Sequence, residues 1–365
     1  MNEDHVGSLA GTIALLLLVA SLTAAVRSAD YRSTEHPAMF AGQQAATAPQ
    51  GDAPARLGRV TADQLPLSDP QPLDLLAAGY ELPPGSSVYA ARVVDGGDRP
   101  LYVDFVAGGG ALADDFWPAS SVKVLAALGA LDFAASLGFT GAATVSFEAS
   151  YPGADDPLTI RELYRSAVLD SDNLDYDILI RIAGFDRLNT VFLSPAHGFP
   201  ATVIQRSYAG IDVRWSPEMT LEEDGRSVVV PARQGAGEYE CHDEGNCSNL
   251  FELSEAMRRL VLDGSVPADE RLAISPADVV SLMDALAGTG SFFAPGIAQA
   301  VGPGATVQSK PGVAAGLACV DTAVVTVPTG DRYLLSATIP DADFDQECGE
   351  LSDLAAAVLP LLLSP

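Results

Sequence analysis

Basic residues are scarce in this chain: 20 lysines and arginines stand against 48 aspartates and glutamates over 365 residues, for a net charge of −28. Such a surface repels polyanions at long range, which excludes nucleic acid and an anionic membrane surface as partners. Lysine is the scarcer of the two cations, with only Lys123 and Lys310 in the whole sequence. Arginine keeps its charge at any accessible pH, whereas a partly buried lysine can give up its proton and act as a base. A chain that keeps two lysines therefore directs attention to where they stand. Cysteine is nearly as rare, at four. That number fits an oxidising compartment, with Cys241 and Cys247 closing a short loop and Cys319 and Cys348 left to pair, although three pairings are possible in principle. The rival reading of Cys241-His-Asp-Glu-Gly-Asn-Cys247 is a zinc site, but two sulfurs and one histidine fall short of a tetrahedral set. No metal and no cofactor is expected.

What is abundant is apolar: 48% of the residues are hydrophobic, enough for one sizeable core. Leu9 to Val26 is an uncharged run of the length of a signal core or a short membrane span, behind an acidic start, Asn2-Glu-Asp-His5. The expected organisation is a signal peptide or N-terminal anchor over 1–29 and a flexible spacer, rich in Ala, Gln, Pro and Asp, over 30–68. One domain follows over 69–365. Export to the periplasm or cell envelope follows from either reading of the leader; a monomer is expected, with membrane anchoring only through that segment.

Within the domain, a short helix is expected at 70–79. Two β-rich runs, 86–94 and 101–106, meet across Asp95-Gly-Gly-Asp98 as a hairpin. Apolar periodicity after Pro118 predicts a helix with Ser120 at its start and Lys123 one turn on. Free N–H groups and the helix dipole at such a start stabilise an alkoxide or an oxyanion. Thr159 and Glu162 form a capping box ahead of another helix, which runs to Ser171-Asp-Asn173 and gives way to a second through 176–183. Helices are expected again over 250–262 and, capped by Ser275, over 276–286. Residues 206–247 read as a long irregular stretch. Two strands, 317–327 and 333–339, and a closing helix, 351–363, complete the chain. Strands at both ends with helices between predict an α+β fold of three-layer α/β/α type: an antiparallel sheet assembled from both termini, a helical lobe, and a cleft between them.

Three motifs stand in order: Ser120-Ser-Val-Lys123, Ser171-Asp-Asn173 and Lys310-Pro-Gly312. Over about residues 70–365 the sequence resembles the serine β-lactamases and penicillin-binding proteins, and among them the class A β-lactamases, whose pattern is S-x-x-K, S-D-N and K-T-G. Both lysines of the chain fall on the two motif lysines. The resemblance implies an acyl-enzyme at Ser120, with Lys123 accepting its proton or positioning the water that does. It implies an oxyanion hole from the N–H groups of Ser120 and Val313, beside Gly312. Ser171 would relay a proton to the leaving nitrogen, Asn173 would hold the substrate's amide side chain, and Lys310 would attract a substrate carboxylate. Asp172 is read as structural. His197 invites a Ser-His-Asp triad but sits in no elbow motif, so it is read as a loop residue.

Two departures from the pattern bear on turnover and range. The nearest match to the loop that carries the deacylating glutamate is Arg214-Trp-Ser-Pro-Glu-Met219. It puts Ser216 where the base belongs and Glu218 two residues along, and a serine hydroxyl cannot take a proton from water unaided. Pro311 replaces a hydroxyl residue and offers no donor. The expected function is that of an exported serine hydrolase acting on a β-lactam or a related amide or ester. The alternatives are a penicillin-binding or cell-wall-sensing domain that does not turn over, and a D-alanyl-D-alanine peptidase acting on peptidoglycan.

Overall fold

The computed structural model describes residues 56–57, 69–96, 99–112, 117–148, 157–239, 241, 245–268, 270–314, 316–340 and 344–363. The leader at 1–29 and all of the spacer except Arg56–Leu57 lie outside them. In chain order the strands are β1 (Arg56–Leu57), β2 (Gln71–Pro72), β3 (Ser87–Asp95), β4 (Pro100–Ala107), β5 (Thr144–Phe147), β6 (Leu158–Thr159), β7 (Trp215–Ser216), β8 (Met219–Glu223), β9 (Arg226–Val230), β10 (Arg233–Gln234), β11 (Thr306–Ser309), β12 (Gly312–Ala314), β13 (Ala318–Thr326) and β14 (Arg332–Pro340). The main helices are α1 (Lys123–Ser136), α2 (Ile160–Arg165), α3 (Asn173–Ala183), α4 (Leu250–Val261), α5 (Pro276–Ala287), α6 (Ala294–Val301) and α7 (Phe344–Leu363).

The large sheet runs β1-β4-β3-β14-β13-β11, with β12 continuing past β11 on the same side of β13 and β2 added parallel to β4. Its central pairing joins the two ends of the domain, with Ser87 opposite Thr338 and Val93 opposite Arg332. This is the sheet expected from strands at both termini. Side chains alternate across its faces as a period of two requires. Tyr89, Ala91, Val320, Val324 and Leu334 enter one core with α1 and α4. Val88, Ala90, Cys319, Val325, Leu335 and Ile339 enter the other with α6 and α7. Helices on both sides leave β13 and β14 buried along almost their whole length. The Cys319–Cys348 disulfide ties β13 to α7, and a second disulfide joins Cys241 to Cys247 across five intervening residues, so neither pair is free for zinc.

Several expectations need correction. The segment 70–79 is not a helix: Pro70 and Pro72 supply no N–H, β2 forms at Gln71–Pro72, and Asp74 Oδ1 accepts from Ala77 N (3.0 Å) to close a turn instead. The stretch 206–247 is not irregular throughout, since β7 to β10 lie in it. β8 and β9 form a hairpin over Asp224-Gly225, both at positive φ (52° and 77°), and extend a small sheet ordered β6-β5-β8-β9. Part of the spacer is also ordered, as β1 against β4. The capping box at Thr159–Glu162 and the Ser275 cap of α5 are both present.

Candidate active site

Ser120 lies in a single 3₁₀ turn, Ala119–Val122, that leads directly into α1. α1 is apolar on nearly every face and runs through the core, which fixes this turn against the protein interior. Ala119 carries φ +45°, a conformation that costs a non-glycine residue about 1–3 kcal/mol and persists only where the surroundings hold it. Those surroundings are visible. Pro118 O accepts from Ser121 N (3.0 Å) and Ser121 Oγ (2.5 Å), and Ala119 O accepts from the Tyr208 hydroxyl (2.8 Å).

Lys123 is fully buried at the start of α1. Its Nζ donates to Ser171 O and to Asn173 Oδ1 (2.7 Å), with Ser171 Oγ at 3.3 Å. Ser171 can meet it because α2 gives way to a π-helical turn, Ser166–Asp170, after which Ser171 itself is left-handed (φ 59°). Asp172 then caps α3 by accepting from Asp175 N (2.9 Å), the structural task read for it. Burial, and next the Lys310 ammonium, pull the Lys123 pKa down to about 7 against the opposing charges of Asp172, Asp177 and Asp175. Burial likewise lowers Lys310 to about 8, opposed by Asp321 and Asp170.

Lys310 and Pro311 form the junction between β11 and β12, both of which pair with β13 alone. Lys310 N donates to Thr322 O (2.9 Å), so the ladder bond falls on Lys310 and the alternation turns Pro311 and Val313 to the free edge. A proline is tolerated there because no ladder bond is lost. Gly312 is required by contact rather than by φ: a Cβ on it would sit 2.8 Å from both Ser120 N and Ser121 N and 3.0 Å from Pro118 O. All three are backbone atoms that cannot step aside. Gly312→Ala is therefore expected to lower the melting temperature by several degrees, read by thermal denaturation.

These elements enclose a cleft of about 260 Å³ lined by Ser120, Leu169, Ser171, Thr289, Lys310 and Gly312, with Gly290, Phe292, Pro311 and Val313 completing the wall. Six of the residues singled out in the sequence (Ser120, Ser171, Lys310, Pro311, Gly312 and Val313) thus share one wall, and Lys123 and Asn173 meet behind Ser171. Ser216 and Glu218 do not join them. Ser216 is buried in β7, paired to Arg233, and Glu218 is exposed, its carbonyl accepting from Glu148 N (3.2 Å). His197 is also elsewhere, with its ring nitrogen Nδ1 on Phe192 O (3.2 Å).

The loop segment that does reach the Ser120 turn is Arg206–Ala209. Asp177 of α3 anchors it, accepting from Tyr208 N and Ala209 N (2.9 Å each) and from Ser207 Oγ (2.5 Å). Tyr208 stacks on Tyr176 with ring centroids 4.7 Å apart, and Lys123 Nζ lies 5.9 Å from each ring. No local sequence pattern marks Tyr208 or Asp177, because what brings them here is the packing of α3 on α1.

The model of the β-lactamase enzyme family matches residues 114–359. Among solved structures the fold is similar to a class A β-lactamase from Mycobacterium abscessus, at 18% identity and a TM-score of 0.55 over 80% of this chain and 98% of that one. A putative class A β-lactamase from Rhodopseudomonas palustris is similar at 21% identity and a TM-score of 0.54, over 78% and 96%. The protein PBP-A is similar at 18% and 0.53, over 80% and 97%. No curated protein matches the chain.

Proposed function

Because this chain belongs to the β-lactamase enzyme family, we propose that it is an exported serine hydrolase that forms an acyl-enzyme at Ser120 with a β-lactam or a related amide or ester. The observation that carries this reading is the ammonium of Lys123, buried, lowered to about pH 7 and held on Ser171 and Asn173 behind the cleft that Ser120 lines. As a neutral amine, Lys123 has two N–H groups for the acceptors Ser171 O and Asn173 Oδ1, and its lone pair is left to take a proton. Ser120 Oγ attacks the carbonyl carbon while its proton passes to Lys123. The N–H groups of Ser120 and Val313 receive the oxygen as it gains charge; as the C–N bond breaks, Ser171 gives its proton to the leaving nitrogen and takes the one Lys123 holds, 3.3 Å away, which returns Lys123 to the neutral amine. Lys310 supplies positive potential and Asn173 a carboxamide for the substrate's side chain.

One observation favours a second reading, in which the acyl-enzyme is long-lived. Among the described residues lining the cleft none is a carboxylate, and the loop segment nearest Lys123 turns the Tyr208 ring toward it. Water attacking the ester would then lack a carboxylate base in the cleft. Intact-mass measurement after adding a penicillin decides between the two: a persistent adduct supports capture, and rapid return to the free mass supports hydrolysis. No adduct together with no loss of penicillin would exclude penicillin as substrate under either reading and leave the related amides and esters, which a p-nitrophenyl ester assay tests.

A further inference from the structure

We propose that Tyr208 is a positioning residue of the acylation step: its hydroxyl holds the Ala119 carbonyl that sets the Ser120 turn, while its ring, stacked on Tyr176, closes one side of the Lys123 pocket to water. The proposal rests on the reading of Ser120 as nucleophile and Lys123 as proton acceptor.

The hydroxyl has a single orientation open to it. Trp117 Nε1 donates to the Tyr208 oxygen (3.3 Å), so the Tyr208 proton is free to point at Ala119 O (2.8 Å). Burial pushes the Tyr208 pKa up to about 12, which keeps that proton in place across the working range. The carbonyl it grips belongs to the residue at φ +45°, one bond from the Ser120 nitrogen. A peptide held in a sparsely populated conformation relaxes when its restraint goes, and here relaxation would swing Ser120 N and Oγ together.

The ring acts on the second partner. With Lys123 Nζ 5.9 Å from the Tyr176 and Tyr208 rings, Ser171 and Asn173 on its other sides, and no exposed surface, the amine is kept dry. The charged groups acting on it are Lys310, from the edge of the large sheet, and Asp172, Asp175 and Asp177, from the cap and first turns of α3. Desolvation outweighs the three carboxylates, so anything that admits water raises the Lys123 pKa. Both duties trace to α3. Asn173 at its start fixes the ammonium, and Asp177, one turn on, fixes the backbone of Tyr208. The helix thereby registers the base against the nucleophile.

The test is the rate of Ser120 labelling by a neutral fluorophosphonate, followed from pH 5 to 10 in the full chain, with folding checked by circular dichroism. Tyr208→Phe keeps the ring and loses the hydroxyl. It is expected to label about 10-fold more slowly or worse, with the pH midpoint unmoved. Tyr208→Leu opens the pocket and is expected to shift the midpoint upward by about one unit or more. Wild-type rates for Tyr208→Phe overturn the proposal, and a wild-type midpoint for a folded Tyr208→Leu overturns the role of the ring. A failure of the underlying reading looks different: Ser120→Ala would then label like wild type.

Discussion

Ser120→Ala is expected to abolish covalent labelling by both a fluorescent penicillin and a fluorophosphonate, and to lower any hydrolysis by roughly 10³-fold or more. Removing the hydroxyl removes the only protein atom in the proposed pathway that bonds to substrate carbon, so the effect is close to all-or-none for labelling. Hydrolysis falls less far, because the N–H groups at the turn still polarise a bound carbonyl. The substitution should leave the fold intact. Ser120 is only half-buried, and alanine tolerates the 3₁₀ turn that already contains Ala119. Equal labelling of mutant and wild type, located by peptide mass mapping, would remove Ser120 from the mechanism.

Lys123→Met is expected to slow acylation about 10³-fold, within the range for loss of a general base, and at the same time to stabilise the folded protein. The stability effect follows from linkage. Lys123 titrates near 7 in the fold and near 10.5 in the unfolded chain. Between those values the unfolded chain holds a proton that the folded one has released, so stability rises with pH across that window. Below pH 7 both states are protonated, and folding bears the whole cost of burying the charge. Methionine, of similar shape and uncharged, removes that cost and loses two hydrogen bonds, for a net gain of about 1–3 kcal/mol near pH 6. Urea denaturation should show this gain shrinking toward pH 10, and an equal gain at both pH values would contradict a depressed lysine. In the wild type the acylation rate should climb through pH 7 as Lys123 deprotonates. It should fall above about 8 as Lys310 loses its charge, leaving a narrow bell.

How much of this was legible beforehand depends on the range over which each signal acts. Ser120, Lys123, Ser171, Asn173, Lys310 and Gly312 each stand in a short local motif, and the structure gathers them at or behind one cleft. The Thr159 and Ser275 caps were visible because capping is decided within four residues. The helix expected at 70–79 does not form because two prolines withhold N–H groups and Asp74 closes a turn instead. The Asp224-Gly225 hairpin has a local signal, but it is short and lies within a long stretch rich in acidic residues and glycine. Ser216 and Glu218 carry only a short loop pattern, whereas what fixes the neighbourhood of Lys123 is the approach of Arg206–Ala209 to α3. That approach depends on a buried aspartate and two stacked rings, and nothing in their sequence neighbours announces it.

The pairing of β3 with β14 also governs when this protein can exist as an object. Its two strands are separated by nearly the whole domain, with Ser87 meeting Thr338. During synthesis the β3–β4 hairpin must therefore wait with one side unsatisfied while the intervening helices emerge, and loop closure over so many residues makes the final zippering late and slow. Lys310 joins the Ser120 turn only after that event, because the strands beside it are laid down on β13. A growing or truncated chain thus carries Ser120, Lys123, Ser171 and Asn173 without the Lys310 wall, and the cleft is complete only once β13 and β14 are in place.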